Sequence, residues 1–247
     1  MWHILTFVVG AAIGSFLNVV IYRLPRKNEG LSLTNPPRSI CPNCKTVIRW
    51  YDNIPLVSFI ALKGKCRSCG KPISKRYFFV ELFNGLGYLI NFMVFQKNFL
   101  EFIAMCTMIS CVLVIVFIDL DFMLIPDATL ILIALASFLM WLNSSQKMLN
   151  LLAGGFVSAL FALLFVLYKG GIGSGDIILA GTMSIAVGLL ASFYALMFAS
   201  MAALIFAAAK NKGKLDRKQK IPFGSFLGPA FYITILFQRT LPWIKTT

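Results

Sequence analysis

Residues 177–209 form a run of 33 side chains without one charge, and that run dictates the kind of molecule this chain can make. As a single helix it would be about 50 Å long, against a bilayer hydrocarbon core of about 30 Å. Two shorter spans turning near residues 188–192 fit better. Comparable apolar runs recur along the chain, which is 59% hydrophobic, and too little polar surface remains to cover a soluble globule. The fold class that follows is all-α: a polytopic membrane bundle of about eight transmembrane helices. Spans are expected near residues 3–22, 77–95, 99–118, 124–142, 149–168, 177–190, 192–209 and 222–239. The first lacks a basic stretch ahead of it and ends on Arg23, Arg26 and Lys27, the flank of a retained span and not of a cleaved signal peptide.

Charge sets the orientation. Lys and Arg number 23 against 9 Asp and Glu, and they cluster in a few loops. With eight spans, residues 23–76, Lys169 and residues 210–220 share one side and carry most of the basic residues, leaving Lys97, Lys147, Arg239 and Lys245 on the other. Basic loops stay in the cytoplasm, which puts the long loop and the 210–220 cluster inside. Membrane orientation explains the basic excess better than a nucleic-acid patch does, and no nucleic-acid partner is expected. His3 is the sole histidine, so serine-histidine hydrolysis and imidazole-rich metal sites are excluded from the membrane part.

Within the long loop, Cys41-Pro-Asn-Cys44 and Cys66-Arg-Ser-Cys69 are two short turns separated by 21 residues. Each turn can aim two sulfurs at one ion, the spacing of a four-thiolate structural zinc site. In a reducing cytosol disulfides are the weaker explanation. Lys45, Lys65, Arg67 and Lys71 would offset the net charge of about −2 on Zn²⁺ held by four thiolates. Such a closed shell staples a loop and leaves no open position for water. Cys106 and Cys111, inside the third span, read as small apolar packing residues.

Asp119, Asp121 and Asp127 put three carboxylates in nine residues at a membrane boundary, with no intervening Lys or Arg. Acids so close to hydrocarbon without cations imply access to water or a shared proton. Pro126 can open the following helix with Asp127 in its first turn. A second element, Gly170-Gly-Ile-Gly173-Ser-Gly175-Asp176, lacks the lysine and strand of a phosphate loop, and taken alone Asp176 reads as a helix cap. Parity changes that reading. Asp119 follows the third span and Asp176 the fifth, so both return to the cytoplasmic face and can meet. Two carboxylates close together in a partly dehydrated site hold one proton between them near neutral pH, which makes an acid and a base able to drive water against a carbonyl.

Five segments in order give the chain a close resemblance to the bacterial type IV prepilin peptidases, membrane aspartic peptidases of the Gly-x-Gly-Asp class, over essentially its whole length. They are Gly14-Ser-Phe-Leu-Asn-Val-Val-Ile-Tyr-Arg-Leu-Pro25, the cysteine loop with Trp50-Tyr-Asp-Asn-Ile-Pro55 inside it, Ile118-Asp119 through Pro126-Asp127, Gly173-Ser-Gly175-Asp176, and Ile221-Pro-Phe-Gly224. The resemblance implies that Asp119 and Asp176 are the catalytic pair, with Asp121, Asp127, Gly173 and Gly175 in support. It further implies an enzyme of the bacterial cytoplasmic membrane. That enzyme would cut the basic leader of prepilins or pseudopilins after glycine on the cytoplasmic side, and commonly then N-methylates the new terminus with S-adenosylmethionine. Zinc on Cys41, Cys44, Cys66 and Cys69 belongs to the same picture. The chain departs from the family pattern at Tyr77-Phe78, where Tyr-Pro is frequent, and at Ser225, where proline is usual; neither departure is expected to touch the dyad.

No residue announces a methyl-donor pocket by its chemistry. Glu81 and Gly85 in the second span are put forward for it, the alternative for Glu81 being an acid paired with Lys75 or Arg76. The expected division is a first helix over 1–24, a cysteine-rich zinc loop over 25–76 with a role in methyl transfer, and an aspartic peptidase membrane domain over 77–247. The competing function is a transporter or channel whose acids bind protons or cations, which gives no account of the cysteine loop.

Overall fold

A computed structural model describes residues 1–168, 173–210 and 221–240. Lys169, the 170–172 part of the glycine run, the basic residues within 211–220 and Lys245 lie outside the described residues. The described chain falls into two compact units, Met1–Met93 and Val94–Thr247.

In the first unit, α1 (Trp2–Arg23) leads through a 3₁₀ turn (Leu24–Glu29) into the cysteine loop, which holds a second 3₁₀ turn (Trp50–Asn53) and the short α2 (Val57–Ala61), and α3 (Lys75–Phe95) follows. Small residues let α1 and α3 approach closely. A Cβ on Gly10 would stand 2.8 Å from Tyr88 Cβ, and one on Gly14 would stand 2.8 Å from Glu81 Cα, the small-xxx-small mode of helix pairing. Asn84 Nδ2 donates to Gly10 O at 2.7 Å and Asn18 Nδ2 to Tyr77 O at 3.0 Å, so polar side chains in this pair bond the neighbouring backbone. At the end of α1 the buried Arg23 guanidinium donates to the carbonyls of Ser32, Leu33, Pro36 and Arg38, anchoring a stretch with little secondary structure of its own.

The second unit contains α4 (Phe99–Phe122), α5 (Asp127–Leu142), α6 (Lys147–Leu167), α7 (Ser174–Val187), α8 (Leu189–Lys210) and α9 (Gly224–Thr240). The most enclosed of these is α4, which packs on α5 and α9; α7 packs on α5, α6 and α9. Glycine again sets the spacing: Gly154 of α6 faces Ile185 and Gly181 of α7, and Gly181 faces Ser158. The anticipated break in the long apolar run falls at Gly188, whose φ of +82° ends α7 and starts α8. Across it, Gln238 Nε2 donates to Val187 O at 3.0 Å and Ser192 Oγ to Gly188 O at 2.7 Å.

Eight helices of 14 to 24 residues among the described residues, α9 (17 residues) included, fall where the eight spans are expected, and the described secondary structure is all-α. Five, namely α1, α3, α4, α6 and α8, are long and apolar enough to cross a membrane, whereas α5 and α7 are shorter apolar helices of 16 and 14 residues. This is a multi-pass membrane protein. One boundary differs in a way that matters for the site: α4 continues past residue 118 to Phe122 and closes on Met123 in left-handed geometry, with Met123 N–H donating to Asp119 O. Asp119 and Asp121 therefore belong to the last turn of the helix and do not follow it. Hydropathy falls where the acids begin, while backbone hydrogen bonding runs on for another turn.

Candidate functional site

Asp119 in the last turn of α4 and Asp176 in the first turn of α7 are both buried, 5% and 7% exposed. Their separation is set by α9, which begins between them. A Cβ on Gly224 would stand 3.2 Å from Asp119 Oδ2 and 3.2 Å from Asp176 Oδ1, so the two oxygens are no farther apart than twice that distance. Within that bound a single water molecule can reach both oxygens, since two hydrogen bonds in series span about 5.5–6 Å.

Each carboxylate is held differently. Asp119 Oδ2 accepts from the backbone N–H of Ser225 at 2.8 Å and from Ser225 Oγ at 3.0 Å. Asp176 Oδ2 accepts from Gly173 N–H at 3.2 Å, closing the first turn of α7 on the glycine that precedes it, and Asp176 Oδ1 is buried without a hydrogen-bond partner among the described residues. Gly173 and Gly175 have distinct local reasons. Gly173 supplies that N–H next to the carboxylate, and a Cβ on Gly175 would stand 3.0 Å from Ile125 Cβ. Ile125, in the short link between α4 and α5, also faces Gly224, where a Cβ would approach its Cδ1 to 2.6 Å. An apolar side chain thus flanks the two acids. Asp121 and Asp127 are exposed; Asp127 opens α5 after Pro126, whose carbonyl accepts from Thr129 Oγ1 at 2.6 Å.

Two contributors escape a reading of the sequence. Gly224 lies in a sequence segment that gives it no geometric role, and Ser225, expected clear of the acids, sits directly on Asp119. The expectation fails because the return of α9 to the end of α4 is a tertiary fact, and the first-turn N–H groups of a helix, lacking acceptors of their own, seek one there.

In the first unit, the ligand sulfurs of Cys41, Cys44, Cys66 and Cys69 all lie within 4.8 Å of one another, and the cluster can hold a metal ion. Tetrahedral zinc with Zn–S bonds of about 2.3 Å requires sulfurs about 3.8 Å apart, so the donor set and its spacing fit. The two turns are copies of one device. Cys41 N–H donates to Thr46 O and Cys66 N–H to Lys71 O; Lys45 N–H donates to Cys41 O and Gly70 N–H to Cys66 O; the isolated bridges Ile40–Val47 and Lys65–Pro72 flank them. Both carry a left-handed residue after the second cysteine, Lys45 at φ +58° and Gly70 at φ +68°. Hydrogen bonds from the Thr46 side chain and backbone draw the Cys44 thiol down to about 6. Hydrogen bonds from the Cys69 and Ser68 backbone also lower Cys66. Cys69 goes the other way, to about 11: the Lys71 backbone favours its thiolate, but burial and the neighbouring sulfurs outweigh it. Four thiols this close retain protons between them that a divalent cation would displace. Arg67 Nε and Nη2 grip both oxygens of Asp52 at 2.8 and 2.7 Å, which ties the Trp50–Asn53 turn to the second cysteine turn and holds Asp52 below the usual carboxylate range.

Beside the cysteines is a cavity of 590 Å³ lined by Ser15, Asn18, Tyr22, Cys41, Asp52 and Glu81, among others. Glu81 is 8% exposed, and its Oε2 accepts from Leu56 N–H at 2.8 Å, with Leu56 strained at φ +62°. Asn18 Oδ1 is buried without a partner among the described residues. Gly85 has a different place: a Cβ there would meet Phe7 Cε2 at 2.9 Å, so it serves the contact of α1 with α3.

Two buried carboxylates in the Val94–Thr247 unit and a four-thiol cluster in the Met1–Met93 unit are the features of a polytopic membrane protein, and the pairing of acids is the kind a membrane aspartic peptidase needs. Residues 8–95 match the bacterial peptidase A24 N-terminal domain, and residues 106–208 match the type IV leader peptidase family. The chain is 33% identical over 258 residues to a type 4 prepilin-like proteins leader peptide-processing enzyme of Escherichia coli, covering 95% of this chain and 94% of that one. It is 33% identical over 286 residues to a prepilin leader peptidase/N-methyltransferase of Aeromonas hydrophila, covering 100% and 94%. A Myxococcus xanthus protein of the same name is 41% identical over 126 residues, covering 51% of this chain and 36% of that one. No solved structure matches the chain significantly. The chain belongs to the type IV leader peptidase family, and a transporter or channel reading has no support.

Proposed function

We propose that this protein hydrolyses the peptide bond between the leader and the mature part of prepilins or pseudopilins, using Asp119 and Asp176, and that the freed amine is then N-methylated. The observation that carries the reading is the approach of two buried carboxylate oxygens to one point beside Gly224. Between them one proton is held. The ionised acid removes a proton from water as its oxygen bonds to the scissile carbonyl carbon; the protonated acid gives its proton to the carbonyl oxygen and so stabilises the charge that develops there. On breakdown of the intermediate the amine leaves with a proton from the dyad. Ile125 keeps the site dry on one side, and Gly175 and Gly224 keep it open to an extended backbone. Asp121, exposed in the last turn of α4, and Asp127, exposed at the start of α5, are assigned to substrate contact, and lipid surrounds the spans.

Methyl transfer is assigned to the Met1–Met93 unit, in the cavity beside the cysteine cluster. Its volume lies in the range of small-molecule sites, and Glu81 and Asn18 offer buried acceptors suited to a cationic sulfonium ligand. S-adenosylmethionine would supply the methyl group when bound there. Zinc on the four cysteines would fix the loop that forms the wall of that cavity. The bacterial relatives favour the bacterial cytoplasmic membrane as location, and the basic loop residues favour an orientation with the dyad facing the cytoplasm.

The test is cleavage of a prepilin by purified, detergent-solubilised protein. Asp119→Asn and Asp176→Asn should each lower the rate by about 10²–10⁴-fold while the protein remains folded. Wild-type cleavage by either variant would refute the dyad.

A further inference from the structure

We propose that Ser225 is a positioning residue that divides the labour of the two acids, holding Asp119 as the ionised base and leaving the shared proton on Asp176. The proposal rests on the reading of Asp119 and Asp176 as the hydrolytic pair and adds to it which acid does what.

The two carboxylates have unequal donors. Ser225, 5% exposed, brings its backbone N–H and its hydroxyl to the same oxygen, Asp119 Oδ2, at 2.8 and 3.0 Å. The N–H is available because α9 begins at Gly224, and a first-turn amide has no acceptor within its own helix. The partial positive charge of that helix end faces the same carboxylate. With the hydroxyl turned to it, Oδ2 accepts two hydrogen bonds, which favours the ionised form of Asp119. Asp176 is served less well: Oδ2 receives a single N–H from Gly173 at 3.2 Å, and buried Oδ1 receives none among the described residues. A buried oxygen without a donor is costly as an anion and becomes useful once protonated, because it then donates. The proton therefore belongs on Asp176 Oδ1, the atom that faces Gly224 and the gap between the acids.

The hydroxyl has a second acceptor, Val116 O at 3.2 Å. It can point to Asp119 while that acid is ionised and turn to Val116 O once the acid has been protonated, so the base takes up and returns a proton without moving. The sequence of transfers balances. Asp119 takes a proton from water as oxygen bonds to the carbonyl carbon, and Asp176 protonates the carbonyl oxygen. As the C–N bond breaks, the proton on Asp119 goes to the departing amine, and one hydroxyl proton of the intermediate returns to Asp176.

The experiment uses the full chain in detergent with one prepilin substrate, comparing wild type, Ser225→Ala, Ser225→Thr, Ser225→Pro and Asp119→Asn. Proline is compatible with the first turn of a helix and removes the amide donor together with the hydroxyl. We expect kcat to fall about tenfold in Ser225→Ala with KM unchanged, to return to within about threefold of wild type in Ser225→Thr, and to fall about a further tenfold in Ser225→Pro. Infrared spectra of resting wild type should contain a protonated-carboxyl band that is missing from Asp176→Asn. Wild-type kcat in Ser225→Ala, a loss confined to KM, no recovery in Ser225→Thr, or persistence of the band in Asp176→Asn would each overturn the proposal while leaving the dyad standing if Asp119→Asn is inactive. Full activity of Asp119→Asn would remove the dyad itself. Should Ser225→Ala fail to fold, Ser225→Cys, which keeps the volume and weakens the donor, is read the same way.

Discussion

At the residue scale, the site depends on a side chain that is not there. Gly224 leaves open the point equidistant from Asp119 Oδ2 and Asp176 Oδ1, and a methyl group at that point would also press on Ile125 Cδ1. The space lost is the space a water needs between the acids. Gly224→Ala should therefore reduce prepilin cleavage by about 10²-fold, the cost of misplacing reacting groups by about an ångström. Thermal unfolding in detergent should move by only about 1–3 kcal/mol in stability, the range for overpacking a tight contact. Wild-type turnover in Gly224→Ala would mean that the water enters elsewhere. The acids themselves were legible in the sequence, because uncompensated charge in so apolar a chain stands out and parity brings the two motifs to one face. Gly224 and Ser225 were not, because their meaning depends on where α9 meets α4, and no pattern of hydropathy fixes that meeting.

At the scale of elements, length and charge together resolved what hydropathy alone could not. A run of 33 uncharged residues has no internal polar signal, yet its length exceeds one crossing and its parity would export a basic cluster. The break at Gly188 agrees with that argument, and its backbone explains why glycine is there: φ +82° with ψ 173° is a region essentially reserved for glycine, and a Cβ would also come within 3.0 Å of Asn150 Oδ1. Gly188→Ala should destabilise the protein by about 1–3 kcal/mol, read as a lower midpoint of thermal unfolding in detergent, with the catalytic constants little changed because the break is at the far end of α7 from Asp176. An unchanged midpoint would show that the backbone there adapts. The cysteine turns teach the complementary lesson. Their spacing announced four ligands, but the shared fold of both turns was hidden, because the left-handed position is glycine at Gly70 and lysine at Lys45. Sequence similarity fails where two different residues adopt one conformation under the same hydrogen bonds.

At the scale of the whole molecule, the chain contains two units with different chemistry inside them, and metal removal separates their contributions. The sulfurs of Cys41, Cys44, Cys66 and Cys69 belong to a loop with little regular structure, anchored chiefly by Arg23, by the Asp52–Arg67 pair and by the two cysteine turns. A structural ion contributes most to a segment of that kind, since it replaces the core the segment lacks. The dyad depends on none of these residues: its groups come from α4, α7 and the start of α9, all within Val94–Thr247. Cys66→Ser, or a strong thiol-competitive chelator, should therefore release about one zinc per chain and make the 25–76 loop sensitive to protease. N-methylation of the cleaved substrate, followed by mass spectrometry, should be lost, while leader removal retains more than about a tenth of its rate, well above the 10²–10⁴-fold loss assigned to the acids. Loss of both reactions in parallel would mean that the cysteine loop also presents the substrate to the aspartates, and a protein purified without zinc that methylates normally would reduce the cluster to four thiols.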